Sequence, residues 1–265
     1  MKPLQLYLRL VGISMQARLQ YRADFFTGAF SVIAMNVMSL ALIGILVYRF
    51  EALNGWNIWE LFFLYCLWLL GHSLYSLFFW HFWDLEEDLI RGTFDQFLLR
   101  PASVFIQYIG REVQYIGFAD MLVAIVGLGL SYIKLGLHWS LGLWLFIPVV
   151  VFSGTIIEMT INLMVACISF WTGRSSIALD MVMEFNVLVQ HYPIDIFTNW
   201  FRIVVTGVIP VAFMNYYPAL ILLGKIEKTA VPGTGFLSPV VALLLVGLTS
   251  IVWHFAMRRY SSSGG

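Results

Sequence analysis

The sequence predicts an all-α integral membrane protein with six transmembrane helices, an N-terminal interfacial helix and a re-entrant helical hairpin before the last span. Three observations predict it. Of the 265 residues, 60% are hydrophobic and only 11% are charged, whereas a soluble domain carries about 25% charged residues. The apolar residues form long runs separated by short polar segments. The formal net charge is zero, so no basic excess is available for the phosphates of a nucleic acid.

Residues 1–24 predict the interfacial helix. Leu6, Leu10 and Ile13 recur at helical spacing, while Arg18 and Arg22 point in other directions. An amphipathic helix with arginines on its polar face is typical of a segment that lies among lipid headgroups.

The six spans are predicted from apolar runs that are long enough to cross a bilayer. They comprise residues 25–47, 60–83, 103–133, 139–171, 176–191 and 236–257. Together with their connections they form one membrane domain, residues 25–260, which a flexible tail at residues 261–265 follows.

The segment before the last span predicts a helical hairpin, residues 193–224, on the extracellular side. Residues 194–206 have one polar and one apolar face, which is too polar for a lone span. Residues 207–224 are apolar but interrupted by prolines, which break helical hydrogen bonding. The residues that define the hairpin are Pro193, Asp195, Arg202, Pro210 and Pro218.

Basic residues predict that both termini are cytoplasmic, because Lys and Arg accumulate on that side of the membrane. With six spans, ten basic residues lie at inner ends and five at outer ends. The inner set is Lys2, Arg9, Arg18, Arg22, Arg91, Arg100, Arg111, Arg174, Arg258 and Arg259, and the outer set is Arg49, Lys134, Arg202, Lys225 and Lys228.

The motifs of common enzymes are missing from this sequence. There is no phosphate-binding G-x-x-x-x-G-K-[ST] loop, no H-E-x-x-H and no G-x-S-x-G. Cys66 and Cys167 are far apart and lie in apolar runs, which gives neither a disulfide framework nor a metal-ligand pattern. The chain is therefore not expected to be an enzyme or to bind a cofactor itself.

Residues 84–101 form a densely charged stretch between the second and third spans. Gly92 allows a sharp turn, Asp95 is a candidate cap for the helix after it, and Pro101 suits the first turn of a restarting helix. From the residues alone, two interpretations stay open: a solvated loop, which is the usual role of a run of charges, or a docking surface.

Four polar residues inside apolar segments are candidates for lining a path through the membrane or a seam between two chains. Glu158 and Asn162 share one helix face, and Asp180 and Glu184 share another. Carboxylates at membrane depth usually point into a bundle or a water-filled cavity. For Asp180, pairing with the nearby Arg174 is the simpler interpretation, and the aromatic side chains of the second span are interpreted as packing.

Residues 92–101, Gly-Thr-Phe-Asp-Gln-Phe-Leu-Leu-Arg-Pro, resemble the G-x-h-D-x-x-L-h-R-P signature of bacterial ABC-2 family transporter permeases, where h is hydrophobic. Residues 192–197, Tyr-Pro-Ile-Asp-Ile-Phe, are similar to the family's Y-P-x-x-I-F segment. Residues 208–213 and 216–219 resemble its h-I-P-h-A-F and P-A pair. The likeness covers nearly the whole chain.

The resemblance implies the permease subunit of an exporter in the cell inner membrane, with a second permease chain, identical or related, and two separate ATPase subunits that bind ATP and Mg. It implies that residues 84–101 form the coupling element, that the N-terminal helix adds to the same docking surface, and that the hairpin forms part of the gate. The implied docking residues are Arg18, Arg22, Glu86, Glu87, Arg91, Gly92, Phe94, Asp95, Leu98, Arg100 and Pro101.

The substrate is expected to be hydrophobic or amphipathic. The alternative function is a stand-alone secondary transporter or channel that uses Glu158, Asp180 and Glu184 as ion sites. That class often shows two broken helices in corresponding halves of the chain. Here only the second half shows one.

Overall fold

The computed structural model describes residue 12 and residues 22–50, 54–228 and 231–260. The regular secondary structure in this part of the chain is helical, and this part contains no β-strand. The α-helices are α1 (Arg22–Phe50), α2 (Ile58–Phe79), α3 (Leu85–Ile90), α4 (Asp95–Leu98), α5 (Val104–Ile109), α6 (Gly117–Lys134), α7 (Leu141–Ala166), α8 (Ser169–Thr172), α9 (Ser176–His191), α10 (Asn199–Ile203), α11 (Tyr216–Leu222) and α12 (Ser238–Arg259).

Helix α2 is the central helix of the bundle. It begins with a capping box in which Asn57 and Glu60 accept each other's backbone N–H groups, at 2.9 and 2.8 Å. It contacts α1, α6, α7 and α9. In the span that contains α2, 72% of the apolar window is buried, against 11% in the first span. Helix α1 therefore lies at the periphery, where lipid or another chain can cover it.

Two glycines of α6 allow it to approach α2 closely. A Cβ atom on Gly117 would lie 2.6 Å from the carbonyl oxygen of Ser73, and one on Gly127 would lie 2.3 Å from the Sγ atom of Cys66. Both distances are shorter than any van der Waals contact. Gly129 of the same helix faces open space instead. The contact between α2 and α6 thus depends on two specific positions.

Within the described residues, five helical segments are long and apolar enough to cross a membrane: Phe26–Ile45, Ile58–Ile90, Gly117–Lys134, Leu141–Thr172 and Thr234–Arg259. A sixth is added if Asn199–Val208 and Val211–Leu222, which are bent by 77°, count as one span. Helix α9 has the predicted bounds of the fifth span, but its 16 residues are fewer than the roughly 20 of a usual span.

The third predicted span, residues 103–133, is not one helix. Helix α5 ends at Gly110, and α6 starts only at Gly117. In the break, the backbone N–H of Gln114 donates to the carbonyl of Leu77 at 2.9 Å. The break turns the chain along the end of α2, so the membrane-crossing part is 18 residues long.

The N-terminal segment 1–24 and the tail 261–265 lie largely outside the described residues, so the predicted interfacial helix with Arg18 has no structural description. Arg22 is the first residue of α1, and its side chain is also outside the described part of the chain.

Candidate functional site

The charged stretch after α2 folds into a tight turn between α3 and α4. Gly92 has a φ angle of 71°, in the left-handed region that favours glycine. The N–H of Phe94 donates across the turn to the carbonyl of Asp88 at 3.2 Å. The predicted change of direction at Gly92 is therefore present, and it aims the side chains after the turn back at the bundle.

The turn is anchored by aromatic packing. Phe94 and Phe97 are buried, and Phe94 contacts the rings of Tyr108, Trp253 and Tyr260 with centroids 5.2–6.4 Å apart. The buried cluster joins this turn to the ends of α7 and α12. Such packing is not typical of a mobile, solvated loop.

Outside the buried cluster, the turn exposes apolar side chains. Leu99 is 85% exposed, Ile90 62% and Leu98 46%. Glu87 and Arg91 lie beside them and form an exposed ion pair one helical turn apart. Exposed apolar groups rimmed by charge are typical of a surface that contacts a partner. We call residues 87–91 and 98–100 the turn surface.

Asp88 holds the inside of the turn together. The residue is 5% exposed. Its carboxylate pairs with Arg111 and accepts a hydrogen bond from Thr93 Oγ1 at 2.7 Å. Tyr108 donates to it at 3.4 Å. Burial, and secondly the charge of Asp88, raises the pKa of Tyr108 well above its usual value. The sequence did not single out Asp88 or Tyr108, because neither belongs to a recognisable motif.

Glu86 links the turn to the start of α9. Its Oε2 atom accepts hydrogen bonds from the backbone N–H groups of Ser175 and Ser176, at 2.6 and 2.7 Å, and from Ser175 Oγ at 3.4 Å. A carboxylate is favourable there because helix N-termini carry unpaired N–H groups and a partial positive charge. Glu86 thus contacts a helix of this chain, whereas Glu87 faces outwards.

Asp95 does not cap the helix that follows the turn. It is the first residue of α4, whose start has no side-chain capping bond. Its Oδ1 atom instead accepts a hydrogen bond from the Tyr260 hydroxyl at 2.5 Å. Burial and the bond to Asp95 raise the pKa of Tyr260 to about 12. This bond ties the turn to the end of the last helix.

The predicted helix restart at Pro101 is also wrong by three residues. Arg100 and Pro101 lie in an exposed bend, and α5 begins at Val104. Gln107 holds the bend by donating to the carbonyls of Phe97 and Ala102 at 3.1 and 2.9 Å. The proline ends α4 rather than starting the next helix.

Glu158 and Asn162 line a cavity of about 540 Å³ inside the bundle. Both are 2% exposed. Glu158 Oε1 lies 2.7 Å from Nδ1 of His72, and Asn162 donates to the carbonyl of Glu158 at 2.9 Å. His72 was not among the predicted residues, because a single histidine in an apolar run gives no pattern.

A second polar group in the cavity was missed as well. Asp120, in the first turn of α6, accepts a hydrogen bond from Asn36 Nδ2 at 2.7 Å, and Tyr65 donates to Asn36 Oδ1 at 2.6 Å. Asp120 lies inside a predicted span, so the cost of a carboxylate at membrane depth was a signal that the sequence offered.

The structure separates the two predicted pairs of polar residues. Asp180 and Glu184 are exposed on the outer face of α9 and do not line the cavity. The cavity-lining residues of α9 are Met183, Asn186, Val187 and Gln190. Of the four candidates, Glu158 and Asn162 therefore meet in one site, and Asp180 and Glu184 form a separate surface.

At the opposite end of the bundle, the predicted hairpin residues meet in a polar cluster. The Asp195 carboxylate accepts hydrogen bonds from Trp56 Nε1 at 3.1 Å, Asn54 Nδ2 at 3.1 Å and Lys228 Nζ at 3.0 Å. Arg202 donates to the carbonyls of residues 194, 195 and 197. The cluster ties the segment after α9 to the connection that precedes α2.

Asn215 anchors the return segment inside the bundle. It is fully buried, and its Nδ2 atom donates to the carbonyls of Val189 at 3.1 Å and Leu64 at 3.5 Å. Pro193 follows directly after α9, Pro210 lies at the bend, and Pro218 occupies the first turn of α11, where an N–H would have no helical partner.

Residues 33–264 match the model of a family described as ABC-2 family transporter protein. No curated protein and no solved structure matched the chain. The match extends over most of the chain and includes both the turn and the cavity. The helical fold, with five to six candidate spans, agrees with it. The chain therefore belongs to the ABC-2 transporter family, whose members are the membrane-spanning permease components of ABC transporters.

Proposed function

We propose that this multi-pass membrane protein is the permease subunit of an exporter that moves a hydrophobic or amphipathic substrate. A separate ATPase subunit supplies the energy and binds the ATP and Mg. The complex contains two ATPase subunits and two permease chains. It lies in the cell inner membrane with both permease termini in the cytoplasm, six spans, an interfacial N-terminal helix and a re-entrant hairpin at residues 193–224.

The observation that carries this proposal is the double attachment of the turn at residues 84–101. Glu86 binds the start of α9, and Asp95 binds Tyr260 after α12. A coupling element must transmit force to the spans, so it needs rigid contacts with more than one of them. An ordinary connecting loop between α2 and α5 has no need of such contacts.

The turn surface supports docking of the ATPase. Leu99 and Ile90 are exposed beside Glu87 and Arg91, on the side where basic residues place the cytoplasm. Water-facing apolar groups are stabilised when a partner covers them. Arg18 and Arg22 are proposed to extend this surface from the N-terminal helix, and Arg100 from the bend.

The outer face of α9 supports a second permease chain. Asp180 and Glu184 are exposed there among apolar residues such as Ile177 and Met181, which are 73% and 60% exposed. Carboxylates are too costly to face lipid at membrane depth. Contact with another permease, or with a water path at the seam, removes that cost.

The hairpin is proposed to act as part of the outer gate. Its two arms bend by 77° and are joined by a 3.0 Å hydrogen bond between Thr206 and Tyr217. The Asp195 cluster fixes one arm to the start of α2. In this arrangement the hairpin moves with the end of the bundle that lies opposite the turn surface.

The test measures co-purification of a separate ATPase subunit with this chain, and the coupled ATPase activity of the complex in lipid nanodiscs. Leu99→Glu places a charge in the turn surface and is expected to reduce co-purification of the ATPase at least tenfold. The control is Val231→Glu, since Val231 is 63% exposed but lies in the connection to the last span, near the hairpin cluster. It should leave co-purification unchanged.

Equal behaviour of the two variants would contradict docking at the turn. Transport driven by an ion gradient in vesicles that lack any ATPase would favour the stand-alone transporter instead. For that function the His72–Glu158 pair is the group to replace first, because it is the ion pair at the cavity wall.

A further inference from the structure

The cavity described above lies between α1, α2, α6, α7 and α9 and has the size of a drug-like ligand. Its volume of about 540 Å³ falls within the range of about 300–1,000 Å³ that is usual for small-molecule sites. Its walls include the central helix α2 and also α9, the helix whose start is bound by Glu86. A ligand in this space would contact elements that the turn can move.

The charges around the cavity are unbalanced. Among the described residues, the lining includes two carboxylates, Glu158 and Asp120, and one histidine, His72, but no lysine or arginine. His72 contacts Glu158, whereas the hydrogen-bond partner of Asp120 is the neutral amide of Asn36. Even a protonated His72 leaves one carboxylate without a basic partner. At membrane depth such a group needs a proton or a cation.

One carboxylate oxygen of Glu158 has no hydrogen-bond partner. Glu158 is one of the residues that line the cavity and is 2% exposed. Its Oε2 atom is buried and unpaired among the described residues, while Oε1 contacts His72. A buried acceptor without a partner costs free energy, which a positive charge close to it would recover.

Aromatic rings form much of the remaining wall. Trp68 stacks on His72 with ring centroids 4.5 Å apart. Tyr75 lies further along α2, and Trp80 and Trp83 lie in the short segment between α2 and α3. Aromatic faces attract cations as well as apolar groups. The sequence predicts that these residues serve packing, but in the structure they surround a space that also contains two carboxylates.

We propose that this cavity binds an amphipathic organic cation, with its charge near Glu158 and Asp120 and its apolar part against the rings of Trp68, Tyr75 and Trp80. The proposal gives the substrate class of the proposed exporter and rests on that function for its physiological meaning. Binding itself requires only this chain.

The experiment uses the purified full chain in nanodiscs and two probes of nearly the same shape, radiolabelled tetraphenylphosphonium and tetraphenylborate, in equilibrium dialysis. Saturable binding of the phosphonium at one site per chain is expected, with at least tenfold weaker binding of the borate. Equal saturable binding of both probes, or none of the phosphonium, would overturn the proposal without any variant.

Variants then locate the site. Glu158→Gln and Asp120→Asn are each expected to weaken phosphonium binding at least fivefold. Glu227→Gln is the matched control, because Glu227 is an exposed carboxylate that does not line the cavity, and it should bind like wild type. Equal loss of binding in Glu227→Gln and in the two cavity variants would refute the cavity.

The outcome is separable from that of the proposed function. Phosphonium binding that survives while Leu99→Glu fails to affect ATPase association would leave the cavity proposal standing and reject the docking surface. Normal coupling of the ATPase without phosphonium binding would leave the docking surface standing and reject the cavity proposal.

Discussion

Replacing Glu86 by alanine separates the internal link of the turn from its outer surface. The change removes the acceptor for the N–H groups of Ser175 and Ser176, and the start of α9 loses its contact with the turn. We expect the chain to lose stability and coupling while it still binds the ATPase, because the outward-facing side chains are untouched.

The size of the effect follows from the contacts. Hydrogen bonds to charged groups contribute about 1.5–3 kcal/mol each, and an anion at a helix N-terminus adds about 0.3–1 kcal/mol. Glu86 is partly exposed, so we take about 1 kcal/mol for each of its two short bonds, or about 2 kcal/mol in total. At about 2–4 °C per kcal/mol, the Tm falls by about 4–8 °C.

The assay compares Tm, ATPase co-purification and substrate-stimulated ATPase activity across three variants. Glu86→Gln keeps one neutral acceptor oxygen and is expected to lose about half as much stability as Glu86→Ala. Glu87→Ala is the matched control, because Glu87 is the adjacent carboxylate with a side chain 57% exposed. It should change Tm by less than about 1 °C, since exposed ion pairs contribute about 0–1 kcal/mol.

Two results would refute this reasoning. The same Tm for Glu86→Ala and Glu87→Ala would mean that the bonds to Ser175 and Ser176 do not stabilise the bundle. A lower Tm with fully retained stimulation of ATPase activity would mean that the link stabilises the fold without transmitting movement.

Three further predictions concern other contacts. Gly117→Ala is expected to destabilise the bundle by about 1–3 kcal/mol through overpacking against Ser73. Gly129→Ala, which meets open space in the same helix, is expected to be neutral or slightly stabilising. Thermal unfolding of both variants in one detergent compares them, and equal Tm values would refute the close contact. Tyr260→Phe should cost about 0.5–1.5 kcal/mol below pH 10 through loss of the bond to Asp95. The pKa of Tyr260 is raised to about 12. The stability that this shift contributes is therefore complete below the unfolded pKa of about 10 and is lost as the pH rises through 12. A stability difference between wild type and variant that does not shrink over that range would speak against the bond. Asp195→Ala should increase hydrogen exchange in residues 193–209, whereas Glu227→Ala, an exposed carboxylate nearby, should not; equal exchange in both would show that the cluster does not hold the hairpin.

The sequence was sufficient for the membrane class, the family and most helix positions, because long apolar runs and glycine or proline breaks act locally. Helix α9 has the predicted bounds, and Gly92 makes the predicted turn. The family prediction is confirmed by the match over residues 33–264. Residues 110–116 were assigned to the third span because they lead into its apolar run without a proline, although Arg111 and Glu112 lie among them.

The candidate sites depended on contacts across the chain and were only partly predictable. Glu86 meets Ser175 over 89 positions, and His72 meets Glu158 over 86. No local pattern reveals such pairs. Asn36 is a single polar residue in an apolar run until the fold brings it to Asp120, whereas Asp120 could have been singled out as a carboxylate at membrane depth.

Helix α9 has the geometry of a lever. Near the C-terminal end of α9, the carbonyl of Val189 accepts a hydrogen bond from Asn215, so this end is a fixed point. At the other end, the first residue of α9, Ser176, is bound by Glu86. The 13 helical rises from Ser176 to Val189 give an arm of about 20 Å at 1.5 Å per residue. A displacement of about 4 Å at Ser176 would become about 2 Å at Met183 and almost none at Gln190. The cavity would therefore change width most at the end nearest the turn, and a ligand held against Met183 would be displaced more than one held against Gln190.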